Sequence, residues 1–226
     1  MSFHQKHAII TGGSSGIGKA TAKLLATAGA NITIIARSAE KLASAKAEIE
    51  AVKWQSEQRV LTLVSDVSNR LEVERVIENA VQEMGAPDIL ITSAGISVPG
   101  YFQDLPIELF ERTMAINYFG SLYCVRAVLP DMKRQKQGNI VLISSGAGLI
   151  GIYGYTPYCP SKFALRGLAE SLRGELKPWG IQVSIVYPPD TDTPQLEAEN
   201  KTKPPETKQI TETAKMWQPD EIAREI

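Results

Sequence analysis

Short β-branched apolar runs alternate with helix-period segments along nearly the whole chain, and this alternation limits the possible folds more than any other feature. The runs are Ala8–Thr11, Asn31–Ala36, Val60–Val64, Ile89–Thr92, Asn139–Ser144 and Gln182–Tyr187. Each is continuously apolar, the pattern of a parallel strand buried on both faces. Helical periodicity fills the spaces between them. It covers Ile17–Thr27 (ending at Gly29), Glu40–Val52, Arg70–Met84 (ending at Gly85), Ile107–Met132 with Asp104 as N-cap, and Tyr158–Lys177. Pro160 falls in the first turn of the last segment, where proline is tolerated. Repeated βα units predict an α/β fold with a doubly wound parallel sheet of the Rossmann type and right-handed crossovers. At 226 residues the chain suits one well-filled domain, residues 1–226, and is tight for two.

A net charge of −1 implies no broad basic surface, so nucleic acid is not an expected partner. The opening residues carry no secretory signal, and no apolar run approaches the ~20 residues of a membrane span. The expected location is cytoplasmic, with contact at a membrane surface still open to such a chain. Cys124 and Cys159 have neither disulfide-framework nor metal-ligand spacing and read as buried packing residues; no metal site is expected. The stretch around 188–218 is rich in Pro, Thr, Glu and Lys and reads as a mobile flap over a site, not as a second domain. From Pro219 to Ile226 a helix starts and then stops, so the natural chain is expected to continue.

The first strand runs into Thr11-Gly12-Gly13-Ser14-Ser15-Gly16-Ile17-Gly18. Glycines spaced this way between a strand and a helix allow positive φ and close backbone approach to a pyrophosphate, which the helix N-terminus attracts. The turn therefore predicts a dinucleotide site at Gly12, Ser14, Ser15, Gly16, Ile17 and Gly18. The second strand ends at Ala36-Arg37, without the carboxylate that would hold a ribose 2′-hydroxyl. A guanidinium there favours a 2′-phosphate, with Ser14, Ser15 and Lys41 in support, and the expected cofactor is NADPH/NADP. Asp66-Val67 follows the third strand, where an adenine edge would lie; Asp66 could bond the adenine amino group or cap the next helix.

Tyr158 and Lys162 stand four residues apart, on one helical face. A neighbouring Lys⁺ and the positive nicotinamide of an oxidised cofactor would both favour the phenolate and lower its pKa toward the working range of a general acid-base. Ser144 and Ser145 end the fifth strand, where a hydroxyl can hydrogen-bond a substrate carbonyl. Asn117 is a polar side chain within an apolar helical run, either a satisfied core amide or the holder of a water that relays protons to Lys162.

Thr11–Gly18, Asn117, Ser145, Tyr158 and Lys162 together resemble the short-chain dehydrogenase/reductase pattern, and the likeness runs from Ala8 to Pro188. The resemblance implies a tyrosine acid-base, a lysine that tunes it, a serine that orients the carbonyl and an asparagine that completes a relay. Two motifs depart: Ser93-Ala94-Gly95 stands where the family often has Asn-Ala-Gly, and Pro188-Pro189-Asp190 replaces a common Pro-Gly. Tyr187–Pro194, which contains the second departure, together with Ser161–Glu170 and Asn200–Pro204, resembles the branch of the family that reduces the 3-keto group of long-chain sphingoid bases with NADPH. That likeness implies a long-chain lipid ketone as substrate, in sphingolipid metabolism. The apolar loops Leu149–Tyr155 and Val98–Phe102 could line a groove for its alkyl chain or simply pack on the domain. A homo-oligomer is expected. Rival readings are a reductase of another apolar ketone, such as a β-ketoacyl thioester or steroid, and a regulator that senses NADPH without turnover. The intact Tyr158, Lys162 and Ser145 weigh against the regulator.

Overall fold

The computed structural model describes residues 3–211 and 215–226. Six strands form one parallel sheet: β1 (His7–Thr11), β2 (Asn31–Ala36), β3 (Val60–Val64), β4 (Ile89–Thr92), β5 (Gly138–Ile143) and β6 (Ile181–Val186), in the order β3-β2-β1-β4-β5-β6. Between them run α1 (Gly16–Thr27), α2 (Ala39–Glu50), α3 (Arg70–Met84), α4 (Ile107–Met114), α5 (Gly120–Gln135) and α6 (Tyr158–Leu176). Alternate strand residues feed two cores. Ala8, Ile10, Ile32, Ile34 and Ile91 pack on α1 and α2 through Ala22, Ala26, Leu42 and Ile49. On the opposite face, Ile9, Leu90, Ile140 and Leu142 pack on α3, α5 and α6 through Val76, Ile77, Val128, Met132 and Ala169. β1, β2, β4 and β5 are thus buried on both sides, as continuous apolar runs predict. β3 and β6 are the sheet's edges and are only partly covered.

The strand order reverses between β1 and β4, and a doubly wound sheet opens its ligand crevice there, at the carboxyl ends of the strands. Gly12 sits at this point with φ +67°, and a Cβ on it would come within 2.7 Å of the Ala94 backbone nitrogen. Only glycine lets the first turn close against the end of β4. Ser93 and Ala94 are held to Thr11 by backbone and side-chain hydrogen bonds of 3.2 Å, so the serine in place of asparagine leaves this strand end anchored.

Two expectations need correction. The predicted helix over 107–132 is not continuous: α4 and α5 are joined by a π turn, Ala115–Phe119, which carries Asn117. An inserted residue of this kind is invisible to a search for 3.6-residue periodicity. Asp104 closes a short 3₁₀ turn, and Pro106 occupies the cap position of α4. Beyond β6, the polar stretch read as a flap carries α7 (Pro194–Thr202) and α8 (Pro205–Thr211); residues 212–214 of it lie outside the described residues. Thr193 Oγ1 caps α7 by accepting from the Leu196 backbone N–H at 3.2 Å, with Pro194 in the first turn. A last helix, α9 (Pro219–Glu225), starts with a Gln218–Glu221 capping box where the sequence predicts a helix start, and it packs Ile222 and Ala223 into the interior.

His7 makes the fold sensitive to acid. It is buried, with its ring nitrogens 2.8 Å from the Gly85 carbonyl and the Thr33 hydroxyl. Burial lowers its pKa below 6.5 despite the opposing pull of the Gly85 carbonyl and Asp88. The folded protein therefore holds His7 neutral, while the unfolded chain takes up a proton there near pH 6.5. Stability from this site is complete above that pH and falls as pH drops toward the lower folded-state value. The urea midpoint should decline between about pH 7.5 and 5.5, and His7→Gln should reduce that decline. An equal decline in the variant would assign the sensitivity elsewhere.

Candidate active site

A cleft of about 370 Å³ runs across the carboxyl ends of the strands, from Arg37 and Asp66 at one end to Tyr158, Gln195 and Glu199 at the other. At the first end, α1 points its N-terminus at the cleft. Its cap residue Ser15 makes no side-chain capping bond, so the helix's first N–H groups are left for a ligand. Gly16 holds φ +52°, and Gly18 lies so close to the Gly12 carbonyl that a Cβ would approach it to 2.6 Å. Ser14 and Ile17 line the same wall, as do the exposed Arg37 and Lys41. Ser65 adds a buried hydroxyl with no partner. A glycine cradle, an uncapped helix end and two cations fit a phosphate-bearing dinucleotide.

Asp66 and Val67 line the cleft beside β3. Asn69 takes the helix cap, accepting from Leu71 and Glu72 at 3.1 and 3.3 Å. Asp66 instead uses Oδ1 to accept from the Ser68 backbone N–H at 2.9 Å and hydroxyl at 2.7 Å. Burial pushes its carboxyl pKa up, but these two bonds and the nearby Arg37 and Arg112 outweigh it, and the net shift is downward. Of its two sequence readings, the cap falls away.

At the other end, Tyr158 opens α6, and Lys162 lies one turn on. Both are buried, with the Lys162 ammonium 5.4 Å from the phenol's ring centre and donating to the Ile143 carbonyl at 2.9 Å. Burial brings the ammonium pKa down to about 8, with the charge of Glu199 acting the other way. The expected lowering of the Tyr158 pKa is not what the environment produces. Burial pushes the phenol up, the Glu199 charge adds to the rise, and hydrogen bonds with Ser145 and Gln195 only partly offset it. Tyr158 therefore keeps its proton at neutral pH, the state a proton donor needs.

The two strand-end serines separate. Ser145 meets Tyr158 and caps a short 3₁₀ turn, Gly146–Gly148, by accepting from the Ala147 N–H at 3.2 Å. The Ser144 hydroxyl is buried and donates to the Lys162 carbonyl at 3.1 Å, which ties β5 to α6. Ser144 lines the cleft as well, but its hydroxyl proton is committed to this bond. Asn117 is fully buried. Its side chain accepts from the Ile96 N–H at 2.9 Å and donates to the Ile96 carbonyl at 3.0 Å and the Ser161 hydroxyl at 2.9 Å. These bonds match the satisfied-amide reading and fix the loop after β4 against α6.

Sequence reasoning missed Tyr155, Gln195 and Glu199. Glu199 is buried, accepting from the Tyr155 hydroxyl at 2.7 Å and from Gln195 Nε2 at 2.9 Å. The available signal was Thr193-Pro194, a helix start that places residues 195 and 199 on one face of α7. Cys124 and Cys159 are buried free thiols, as expected, with burial raising both pKa values, that of Cys124 to about 12. Among the described residues no cluster of His, Cys, Asp or Glu could hold a metal.

A switch-point cleft with a glycine cradle at one end and a Tyr–Lys–Ser group at the other defines an oxidoreductase that works with a nicotinamide cofactor. Residues 6–204 match the family model described as short chain dehydrogenase, and the chain belongs to that family. It is 48% identical over 221 residues to a 3-ketodihydrosphingosine reductase of Bos taurus, covering 97% of this chain and 67% of that protein. It is likewise 48% identical over 219 residues to a 3-dehydrosphinganine reductase of Danio rerio, covering 96% and 66%. The chain thus spans about two thirds of the length of these curated relatives. The solved structure of levodione reductase superposes with a TM-score of 0.92 at 28% identity, covering 98% of this chain and 89% of that one. NAD+-bound xylitol dehydrogenase gives 0.90 at 26%, covering 99% and 91%.

Proposed function

We propose that this protein reduces the 3-keto group of a long-chain sphingoid base with NADPH. The observation that carries the reading is the placement of a protonated Tyr158 beside Ser145, in a cleft whose far end presents Arg37 and Lys41. NADPH supplies hydride to the carbonyl carbon when bound. The chain's own residues do the rest. Ser145 and Tyr158 orient the ketone oxygen, and Tyr158 gives that oxygen its proton as negative charge develops there. Lys162, fixed by the Ile143 carbonyl, stabilises the phenolate left behind. Similarity to reductases named for this ketone selects the substrate. Among the described residues no helix is long and apolar enough to cross a membrane.

α7 and α8 form the flap over this site. Thr193 faces Gly16, Tyr101 donates to Glu206 at 3.1 Å, and Thr207 donates to the Tyr153 carbonyl at 2.9 Å. The flap thus touches both the dinucleotide cradle and the apolar loops. The direct test is NADPH oxidation with a panel of ketones that includes 3-ketodihydrosphingosine. Absence of turnover with that ketone, beside turnover of a small polar one, would sink the reading.

Arg37 sets the cofactor choice in this scheme. Its guanidinium is exposed and lines the cleft at the end of β2, where charge-assisted hydrogen bonds to a 2′-phosphate are available. Arg37→Ala should raise the KM for NADPH by about tenfold or more and move that for NADH by no more than about threefold. An unchanged NADPH/NADH preference would remove Arg37 from the site.

A further inference from the structure

Glu199 is a poor neighbour for the reaction as described so far. Its side chain is 7% exposed and lines the same cleft as Tyr158 and Ser145. Gln195 donates to Glu199 at 2.9 Å, and the charge of Glu199 reaches the Tyr158 phenol, which lines the same cleft. Negative charge there opposes both the charge developing on a ketone oxygen and the phenolate that follows. Among the described residues Glu199 joins no ion pair; Lys201, on the same helix, pairs with Glu197. Its two side-chain partners, Tyr155 and Gln195, are neutral donors, and a carboxylate has about four acceptor positions. Lys162 is near enough to feel the charge of Glu199, but its ammonium donates to the Ile143 carbonyl and forms no ion pair with the carboxylate. A buried acid held in place without a directly paired cation suits a site whose ligand supplies one.

We propose that Glu199 recognises a protonated amine on the carbon next to the substrate's ketone. Tyr155 and Gln195 hold the carboxylate toward the cleft, and the incoming ammonium neutralises a charge that would otherwise hinder proton donation by Tyr158. The inference rests on the sphingoid-ketone reading, since such a base carries its amine beside the 3-keto carbon. It adds a specificity-determining residue and a reason for selectivity. A plain alkyl ketone leaves Glu199 unpaired, whereas an amino ketone pairs it. Positive charge beside the carbonyl also favours hydride arrival at the carbonyl carbon.

The test uses two ketones with the same long chain, one with the amine and one with hydrogen in its place, assayed with NADPH. Wild-type kcat/KM should favour the amino ketone, and Glu199→Gln should shrink the ratio of the two values by roughly 30-fold or more, the range for breaking a buried charge pair. A ratio unmoved by Glu199→Gln, with both ketones slowed alike, would overturn the inference and leave the reductase reading intact. So would a wild-type protein that turns over both ketones without preference. A wild-type protein inactive on both would remove the proposed function and this inference together. If a melting curve shows that Glu199→Gln does not fold, inhibition of the wild type decides. A long-chain alkylammonium must then inhibit at least about tenfold more strongly than the alcohol of equal length, and equal inhibition would overturn the assignment.

Discussion

Tyr158→Phe should lower kcat by at least about 10²-fold, the lower bound for losing a positioned general acid, while NADPH binding stays within about threefold. The ring that remains fits the same space. It packs against Tyr155 with centroids 5.9 Å apart and lies beneath the Lys162 ammonium, so the substitution removes a hydroxyl and almost no volume. The direction of the pKa shift sharpens the expectation. Burial and the Glu199 charge keep the phenol protonated at neutral pH, so the resting enzyme is loaded to give a proton rather than to take one. In the variant, the Ser145 hydroxyl is far too weak an acid to replace it, and the Lys162 ammonium is tied to the Ile143 carbonyl. Single-turnover reduction would separate the chemical step from binding. A Phe variant that keeps more than about a tenth of the wild-type rate would assign the proton to another donor.

The sheet and the candidate Tyr158–Lys162 pair were legible because each is written in local periodicity. Continuous apolar runs mark β1, β2, β4 and β5, and a four-residue spacing puts Tyr158 and Lys162 on one face whatever the rest of the chain does. Side-chain direction at the end of a strand is not local in that sense. Ser144 and Ser145 are adjacent and chemically identical, and only the docking of α6 turns Ser144 onto the Lys162 carbonyl while Ser145 meets the phenol. Asn117 was visible as a polar break in an apolar run, but the π turn that rotates it toward Ile96 and Ser161 has no signature in a 3.6-residue pattern. The lowered phenol pKa expected from Lys162 failed for a similar reason. The sign is set first by burial of the phenol, and Glu199, some 40 residues away in sequence and reaching the site from α7, adds to it. That helix has little apolar surface, and Thr193-Pro194 alone signals its start.

The second large effect concerns chain length. Leu149, Ile150 and Tyr153 are exposed on the loop before α6, Phe102 after β4 and Ile107 at the start of α4, and Ile210 on α8. Contacts join the three segments. Tyr101 meets Tyr153 edge-on at 6.4 Å, the Gly100 N–H donates to the Gly154 carbonyl at 2.9 Å, and the Thr207 hydroxyl donates to Tyr153. Exposed apolar side chains gathered from three linked segments, neighbours in the chain of Ile152 and Thr211 in the cleft wall, suit an alkyl chain or a membrane surface better than bulk water. Each methylene the rim covers contributes up to about 0.8 kcal/mol, so kcat/KM should rise up to about fourfold per carbon until the rim is filled, then level off. The levelling point measures how many carbons this surface covers. Ile150→Glu places a charge in the chain's path and should flatten the rise, while activity on the shortest ketone and the preference for NADPH over NADH stay near wild type, since neither depends on that surface. Ketones of graded length assayed in vesicles, with Tyr158→Phe as the blank, would give the slope. A flat series in the wild type would mean that chemistry at the head group alone selects the substrate, and the apolar rim would then serve the fold or a partner instead.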